Sequence, residues 1–402
     1  MSDGSAASAA GTSTDAEVFA NYQYEIYARG MSGERPRLAL DWRELERRAE
    51  QVAPRAGWGY VAGGAGSEDT VRENRAAFGR WRIVPRMLRD VSVRDLRRTV
   101  LGTPLRAPVL LAPVGVQTLM HPEGELAVAR AAASVGVPLV ASTAASHTFE
   151  AIAEAAGELP LWYQLYWPRE RELAASFIGR AEAAGYRALV VTLDTWMLGW
   201  RPRDLSEGFL PFLRGEGNVN FLEDPVFRGL LERPPEEDMQ AAIGQWAFQF
   251  SNPSVTWADL AWLRGITELP IVLKGIQHRD DARLAVEHGA DGIIVSNHGG
   301  RQVDGAIASL DALPGVVDEV GERCAVLFDS GVRGGSDAVK ALALGARAVL
   351  LGRPYMWALA LGGEVAVREY LRAFLADFDL ALALSGHAGV DEVGPGSVVR
   401  RP

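Results

Sequence analysis

The residues best suited to chemistry fall at the ends of short apolar runs. His298 follows the run 292–296, Asp194 follows 188–193 and Lys274 closes 271–274. A histidine titrates near neutral pH and takes a proton at modest cost, which makes His298 the candidate general base. A lone histidine is more often only a hydrogen-bonding group. Asp194 at a neighbouring run end changes that reading, because a carboxylate holds an imidazole and stabilises its protonated form. Arg201 and Arg301 lie in two further loops, and paired guanidinium forks read a small carboxylate far better than one does. The alternative for each is an idle surface ion pair. Phosphate chemistry is suggested by Asp329-Ser330-Gly331-Val332-Arg333-Gly334-Gly335 and by Leu351-Gly352-Arg353-Pro354, each ahead of a helical stretch where free backbone N–H groups and arginines attract an anion. His121, in His121-Pro122-Glu123-Gly124-Glu125, reads as a loop-ordering residue. No histidine pair or carboxylate cluster has ligand spacing, so no metal is expected.

These residues need a scaffold that brings strand ends together. Eight β-rich runs, 109–112, 139–142, 161–165, 188–193, 271–274, 292–296, 325–329 and 349–352, alternate with amphipathic stretches such as 170–184 and 280–288. The runs are continuously apolar, as parallel strands buried on both faces are. Eight strand–helix repeats imply a closed (β/α)8 barrel or a doubly wound sheet, and the lack of an early G-x-G-x-x-G loop weakens the second. In such a barrel the working rim is where the strands end. Ser142, Gln164, Tyr166, Thr192, Asp194, Lys274, Asn297, His298, Arg301, Asp329, Arg333, Gly352 and Arg353 all lie there in sequence, so one site is expected.

Around the barrel, the first 20 residues read as a disordered tail and 21–402 as a single domain. A helical preface spans 22–53, and the turn-rich 57–66 is expected to end any helix by its glycines. After the fourth run, about 198–253 carries Pro202, Pro211, Pro225, Pro234 and Pro235 and exceeds ordinary loop length. It reads as a lid that excludes water, or else as a solvated excursion without a role.

Composition excludes several classes. Lys and Arg number 41 against 51 Asp and Glu, a net charge of −10 that disfavours nucleic acid and anionic membranes. The single cysteine, Cys324, leaves no disulfide framework. No run nears the roughly 18 apolar residues of a spanning helix, and the start lacks a secretory signal. A cytoplasmic protein is expected.

The stretch Ser296-Asn297-His298-Gly299-Gly300-Arg301-Gln302, with Leu273-Lys274-Gly275 and Asp329-Ser330-Gly331-Val332-Arg333, resembles the FMN-dependent 2-hydroxy acid oxidoreductases, the family of glycolate and lactate oxidases and flavocytochrome b2. Within it the chain is most similar to lactate 2-monooxygenase, through Tyr60-Val61-Ala62-Gly63-Gly64, Gln164-Leu165-Tyr166, Leu193-Asp194-Thr195-Trp196, Gly199-Trp200-Arg201-Pro202-Arg203-Asp204 and Phe212-Leu213-Arg214-Gly215. The resemblance implies FMN as cofactor, a small 2-hydroxy acid and dioxygen as reactants, and a homotetramer or a dimer of tetramers. It makes His298 the base, Asp194 its partner, and Arg301 and Arg201 the carboxylate clamp, with Tyr60 and Tyr166 on the substrate. On the flavin side it implies Pro113 and Gly115 along the ring and Ser142, Gln164 and Thr192 at its polar edge. It implies Lys274 by N1 and O2, where a fixed cation stabilises reduced flavin. Asp329, Arg333, Gly352 and Arg353 would bind ribityl and phosphate, and Ser296 and Gly331 belong to the same cofactor set. Ala144 leaves a small side chain facing the substrate, so a longer or aromatic hydroxy acid has room.

Three outcomes compete: oxidative decarboxylation of lactate to acetate, carbon dioxide and water; release of 2-keto acid and peroxide, or electron transfer to another acceptor; and a silent flavin-binding protein. Intact Tyr60, His298 and Arg301 oppose the last.

Overall fold

The computed structural model describes residues 18–401. Eight parallel strands, β1 (Val109–Leu111), β2 (Leu139–Ser142), β3 (Leu161–Leu165), β4 (Leu189–Thr192), β5 (Ile271–Ile276), β6 (Gly292–Val295), β7 (Ala325–Phe328) and β8 (Ala348–Leu351), close in chain order into a barrel, β8 pairing with β1. Each coincides with one of the eight expected runs, with bounds shifted by two residues at most. The runs lack alternation because both faces are buried: Leu110, Val140, Trp162, Val190, Val272, Ile294, Leu327 and Leu350 fill the interior, while Leu111, Leu139, Tyr163, Leu189 and Val349 pack against the surrounding helices. A hairpin, Arg98–Val100 with Thr103–Leu105, plugs the end where the strands begin. Trp162 Nε1 donates to Thr103 Oγ1 at 2.9 Å across that plug.

One irregularity serves the site. The register of β5 against β6 shifts between Lys274 and Ile276. Gly275, at φ 113°, permits the bulge, and a Cβ there would lie 2.9 Å from that of Asp194. A bulge re-aims neighbouring side chains, here the lysine beside the β4 carboxylate.

The N-terminal extension corrects two expectations. The helical preface consists of α1 (Asn21–Met31) and α2 (Trp42–Val52). The stretch 57–66 does not end helical structure, because α3 (Arg55–Ala62) runs through Gly57 and Gly59 and α4 (Asp69–Gly79) follows. Gly57 marks a close approach: a Cβ there would run into the Leu119 carbonyl. Of the expected tail, 1–17 lie outside the described residues, but Ala20 is buried and its N–H donates to Asp379 Oδ2 at 2.8 Å.

The insertion after β4 is a packed helical cap. Pro202 and Pro225 open helices Pro202–Ser206 and Pro225–Gly229, because a first-turn proline loses no hydrogen bond. Phe212 stacks on Trp246 at 4.9 Å, Trp246 meets Phe250 at 5.0 Å, and Phe221 packs on Phe177 of a barrel helix at 4.9 Å. Phe221→Ala is expected to cost about 3–5 kcal/mol, read by urea unfolding. A loss below about 1 kcal/mol would show that the cap's aromatic core does not hold it to the barrel.

Candidate active site

A cleft of about 1000 Å3, its open mouth included, lies at the rim where the strands end. His298 reaches it from a tight turn after β6, held at φ 58°, a left-handed conformation costly for a side chain with a Cβ. Its N–H donates to Ser296 Oγ at 3.0 Å, and the Gly299 N–H donates to Ser330 Oγ at 3.0 Å. The imidazole Nδ1 lies 2.8 Å from Asp194 Oδ1 and 3.0 Å from Thr195 Oγ1. Thr195 donates to the same carboxylate oxygen at 3.1 Å. Burial holds the His298 pKa below the ordinary histidine value although Asp194 opposes it. Burial acts to raise Asp194, but the imidazole and the Lys274 ammonium outweigh it and keep the carboxyl below its usual range. The imidazole is thus neutral and the carboxylate ionised at neutral pH.

Arg201 and Arg301 face the same cleft. Arg201 donates through Nε to the Arg301 carbonyl at 3.1 Å and through Nη2 to Gln302 Oε1 at 2.6 Å. Arg301 donates to the Gly63 carbonyl at 2.7 Å and lies 5.2 Å over the Tyr60 ring. Burial and then the Arg201 charge pull the Arg301 pKa down to about 10. Among the described residues no carboxylate makes an ion-pair contact with either guanidinium, and Asp204 offsets them only at longer range, so a bound carboxylate would relieve the pair. Tyr60, from α3, and Tyr166, past β3, complete the wall; burial raises both hydroxyls above the tyrosine range.

The second set surrounds the other half of the cleft. Lys274 Nζ donates to Ser296 Oγ at 2.9 Å and lies 3.2 Å from Asp329 Oδ2. Burial acts to lower its pKa, but Asp329 and Asp194 outweigh it, so it stays charged. Pro113, Gly115, Gly331 and Gly352 line the cleft with Arg333 and Arg353. Gly331 adopts φ 97°, and Gly352 caps the long C-terminal helix Arg353–Leu384. Burial first, then neighbouring guanidiniums, bring Arg333 to about 10 and Arg353 to about 9. Arg353 donates to the carbonyls of Val61, Gly299 and Gly63 at 3.0, 2.8 and 2.9 Å. Arg333 lies 4.9 Å from the Trp357 ring, and its buried Nε has no partner. Ser142, Gln164 and Ser296 sit beneath the lining; Ser142 Oγ donates to Gln164 Oε1 at 2.9 Å, leaving Gln164 Nε2 buried and unpartnered. Thr192 lines a second, adjoining cavity of about 1630 Å3, its open mouth included, together with Asp194, Thr195 and Tyr166, the last two of which also line the first cleft.

The donor set fits FMN. Unpartnered Gln164 Nε2 and Arg333 Nε are donors waiting for acceptors, and the crowded guanidiniums call for a phosphate. Reading the sequence quoted Thr195, Gln302 and Phe212 within motifs without giving them a role, and missed the cap residue Phe250, which lines the cleft with Phe212. Thr195 was legible only as the neighbour of Asp194, and the cap aromatics carry no local chemical signal.

Residues 49–400 match the FMN-dependent dehydrogenase family, and the chain belongs to it. It is 44% identical over 372 residues to an FMN-dependent alpha-hydroxy acid dehydrogenase of Penicillium citrinum, covering 92% of each chain. It is 43% identical over 348 residues to an L-lactate oxidase of Lysinibacillus sphaericus, covering 87% of this chain and 89% of that one. Mandelate oxidase with (S)-2-phenylpropionate superposes with a TM-score of 0.78 at 39% identity, over 90% of this chain and 98% of that one. The protein is an FMN-dependent oxidoreductase of 2-hydroxy acids on a TIM barrel.

Arg333→Met removes charge-assisted hydrogen bonds worth about 1.5–3 kcal/mol, so FMN should bind at least about tenfold more weakly. The FMN-free variant should be no less stable to urea, since a buried cation with an idle nitrogen is lost. Unchanged FMN affinity would remove Arg333 from the phosphate site.

Proposed function

We propose that the protein oxidises a short L-2-hydroxy acid, lactate foremost, with dioxygen as acceptor, and retains the 2-keto acid long enough for peroxide to decarboxylate it, as lactate 2-monooxygenase does. The observation that carries the first half is His298, backed by Asp194, opening on the same cleft as Arg201 and Arg301. The guanidiniums bind the substrate carboxylate and fix the hydroxyl-bearing carbon. With Nδ1 engaged by Asp194, the free Nε2 of His298 takes the substrate proton, and the adjacent carboxylate stabilises the imidazolium that forms. Tyr60 and Tyr166, both neutral, hydrogen-bond the substrate oxygens. Lys274 stabilises negative charge developing beside it. Bound FMN supplies the two-electron acceptor that turns hydroxy acid into keto acid and dioxygen into hydrogen peroxide. Carbon–carbon cleavage then consumes that peroxide: keto acid and peroxide yield the shortened acid, carbon dioxide and water. The helical cap, whose Leu198, Phe212 and Phe250 line the cleft, supports retention. The relatives named L-lactate oxidase and 2-hydroxyacid oxidase favour the second reading, release of keto acid and peroxide.

Product analysis in air separates the two. The monooxygenase reading expects acetate and carbon dioxide in step with lactate consumed and little free peroxide; peroxide equal to substrate consumed defeats it. The acid–base role sets a pH dependence. The neutral imidazole is the active form, and burial lowers its pKa, so flavin reduction should rise with pH along a limb below the ordinary histidine value and then level. Asp194→Asn removes the charge that opposes burial, so its limb should move to still lower pH with a reduced plateau. A wild-type limb above pH of about 7 contradicts this assignment.

A further inference from the structure

We infer that Asn74, on α4 of the N-terminal extension, is a positioning residue for the catalytic base. The inference rests on His298 being that base. His298 occupies a left-handed conformation at φ 58° and is followed by Gly299 and Gly300 at φ 64° and 77°. The two glycines adopt such angles freely, but the His298 conformation is costly and persists only where the surroundings over-determine it. The turn's first residue, Asn297, forms a reciprocal amide pair with Asn74: Asn74 Nδ2 donates to Asn297 Oδ1, and Asn297 Nδ2 donates to Asn74 Oδ1, each at 2.8 Å. Both side chains are buried, Asn74 being 2% exposed. The same Asn297 Oδ1 accepts the Gly300 N–H at 3.1 Å and so closes the turn over His298. Asn74 Oδ1 also accepts the Ser309 N–H at 3.1 Å, which ties down the far end of the loop.

Asn74 is the buried centre of a longer splint. The Ala65 N–H donates to the Gly300 carbonyl at 2.9 Å, Thr70 Oγ1 donates to the Val303 carbonyl at 2.9 Å, and Asp304 accepts the Ser67 and Thr70 N–H groups at 2.6 and 3.2 Å. The extension thus braces the base-bearing loop from Gly300 to Ser309. The backbone of Asn74 has a separate neighbour: a Cβ on Gly331 would lie 2.7 Å from the Asn74 carbonyl oxygen. The amide end of the side chain therefore acts on the base turn, while the main chain and the Cβ, which alanine keeps, abut the anion loop. Removing the side chain should loosen His298 without touching the FMN contacts.

The test uses the FMN-loaded full chain in anaerobic rapid mixing with L-lactate, comparing wild type, Asn74→Ala, Asn297→Ala and the double variant, with FMN affinity titrated in parallel. A base displaced by about an ångström costs up to about a hundredfold in rate. Asn74→Ala should therefore slow flavin reduction at saturating lactate by tens of fold, with KM and FMN affinity within about threefold of wild type. Because the two amides act as a unit, the double variant should be no slower than about the slower single variant. A wild-type reduction rate in Asn74→Ala, multiplicative losses in the double variant, or equal losses of FMN affinity and rate would each overturn the inference. Asn74→Asp, of the same size, replaces the Nδ2 donor by a carboxylate oxygen facing Asn297 Oδ1, and carries the test if the alanine variant does not fold. His298→Asn serves as control: if it reduces flavin normally, the base assignment itself fails, a result distinct from an inert Asn74.

Discussion

Burial of positive charge at one end of the barrel is the constraint around which the molecule is arranged. Lys274, Arg201, Arg301, Arg333 and Arg353 are buried or half-buried about a single cleft. Removing a cation from water costs several kcal/mol unless an anion or a full set of hydrogen bonds replaces the solvent. The chain supplies part of that replacement itself: Asp329 and Asp194 hold Lys274 charged, and backbone carbonyls take the donors of Arg353 and one of Arg301. The remainder is left open, visible in the depressed pKa values of Arg301, Arg333 and Arg353 and in the idle Nε of Arg333. A phosphate and a carboxylate, one from FMN and one from substrate, are the anions such a site lacks.

The chemical division of the cleft follows from where each strand ends. β4 and β6 bring Asp194 and His298 together, and the bulge in β5 sets Lys274 beside both Asp329 and Ser296. His298, Arg201 and Arg301 therefore share a cleft with Lys274. In the proposed reaction, a carbon held by the arginines would face both the proton acceptor and the electron acceptor. The cap adds the apolar side chains Leu198, Phe212 and Phe250 to this cleft, and an apolar lining strengthens charge interactions beside it.

The barrel was legible because its strands are buried on both faces. Continuous runs such as 139–142 and 161–165 need no partner to be recognised, and polar residues at their ends mark the rim. Elements whose stability comes from contacts far along the chain were not legible. Helix α3 has glycines that suggest a turn, yet Gly57 is there to let the helix approach Leu119. The cap looked like a proline-rich loop because proline opens a helix as readily as it ends one. Most of the candidate site was found from motifs, and the cleft gathers His298, Arg201, Arg301, Tyr60, Tyr166, Lys274 and the phosphate-side residues as expected. Strand-end position alone does not say which of two adjoining cavities a side chain such as Thr192 lines. Asn74 was invisible, since an asparagine inside a helix carries no sign of its partner more than two hundred residues away.

The claim beneath all of this is that one cleft presents the imidazole and both guanidiniums to a single small acid beside FMN. A crystal structure of the FMN-loaded protein soaked with the 2-keto acid product tests it most directly. The account predicts the carboxylate between Arg201 and Arg301 and the keto oxygen within about 2.6–3.2 Å of His298 Nε2. A keto acid bound clear of the arginines, or turned away from His298, would contradict it.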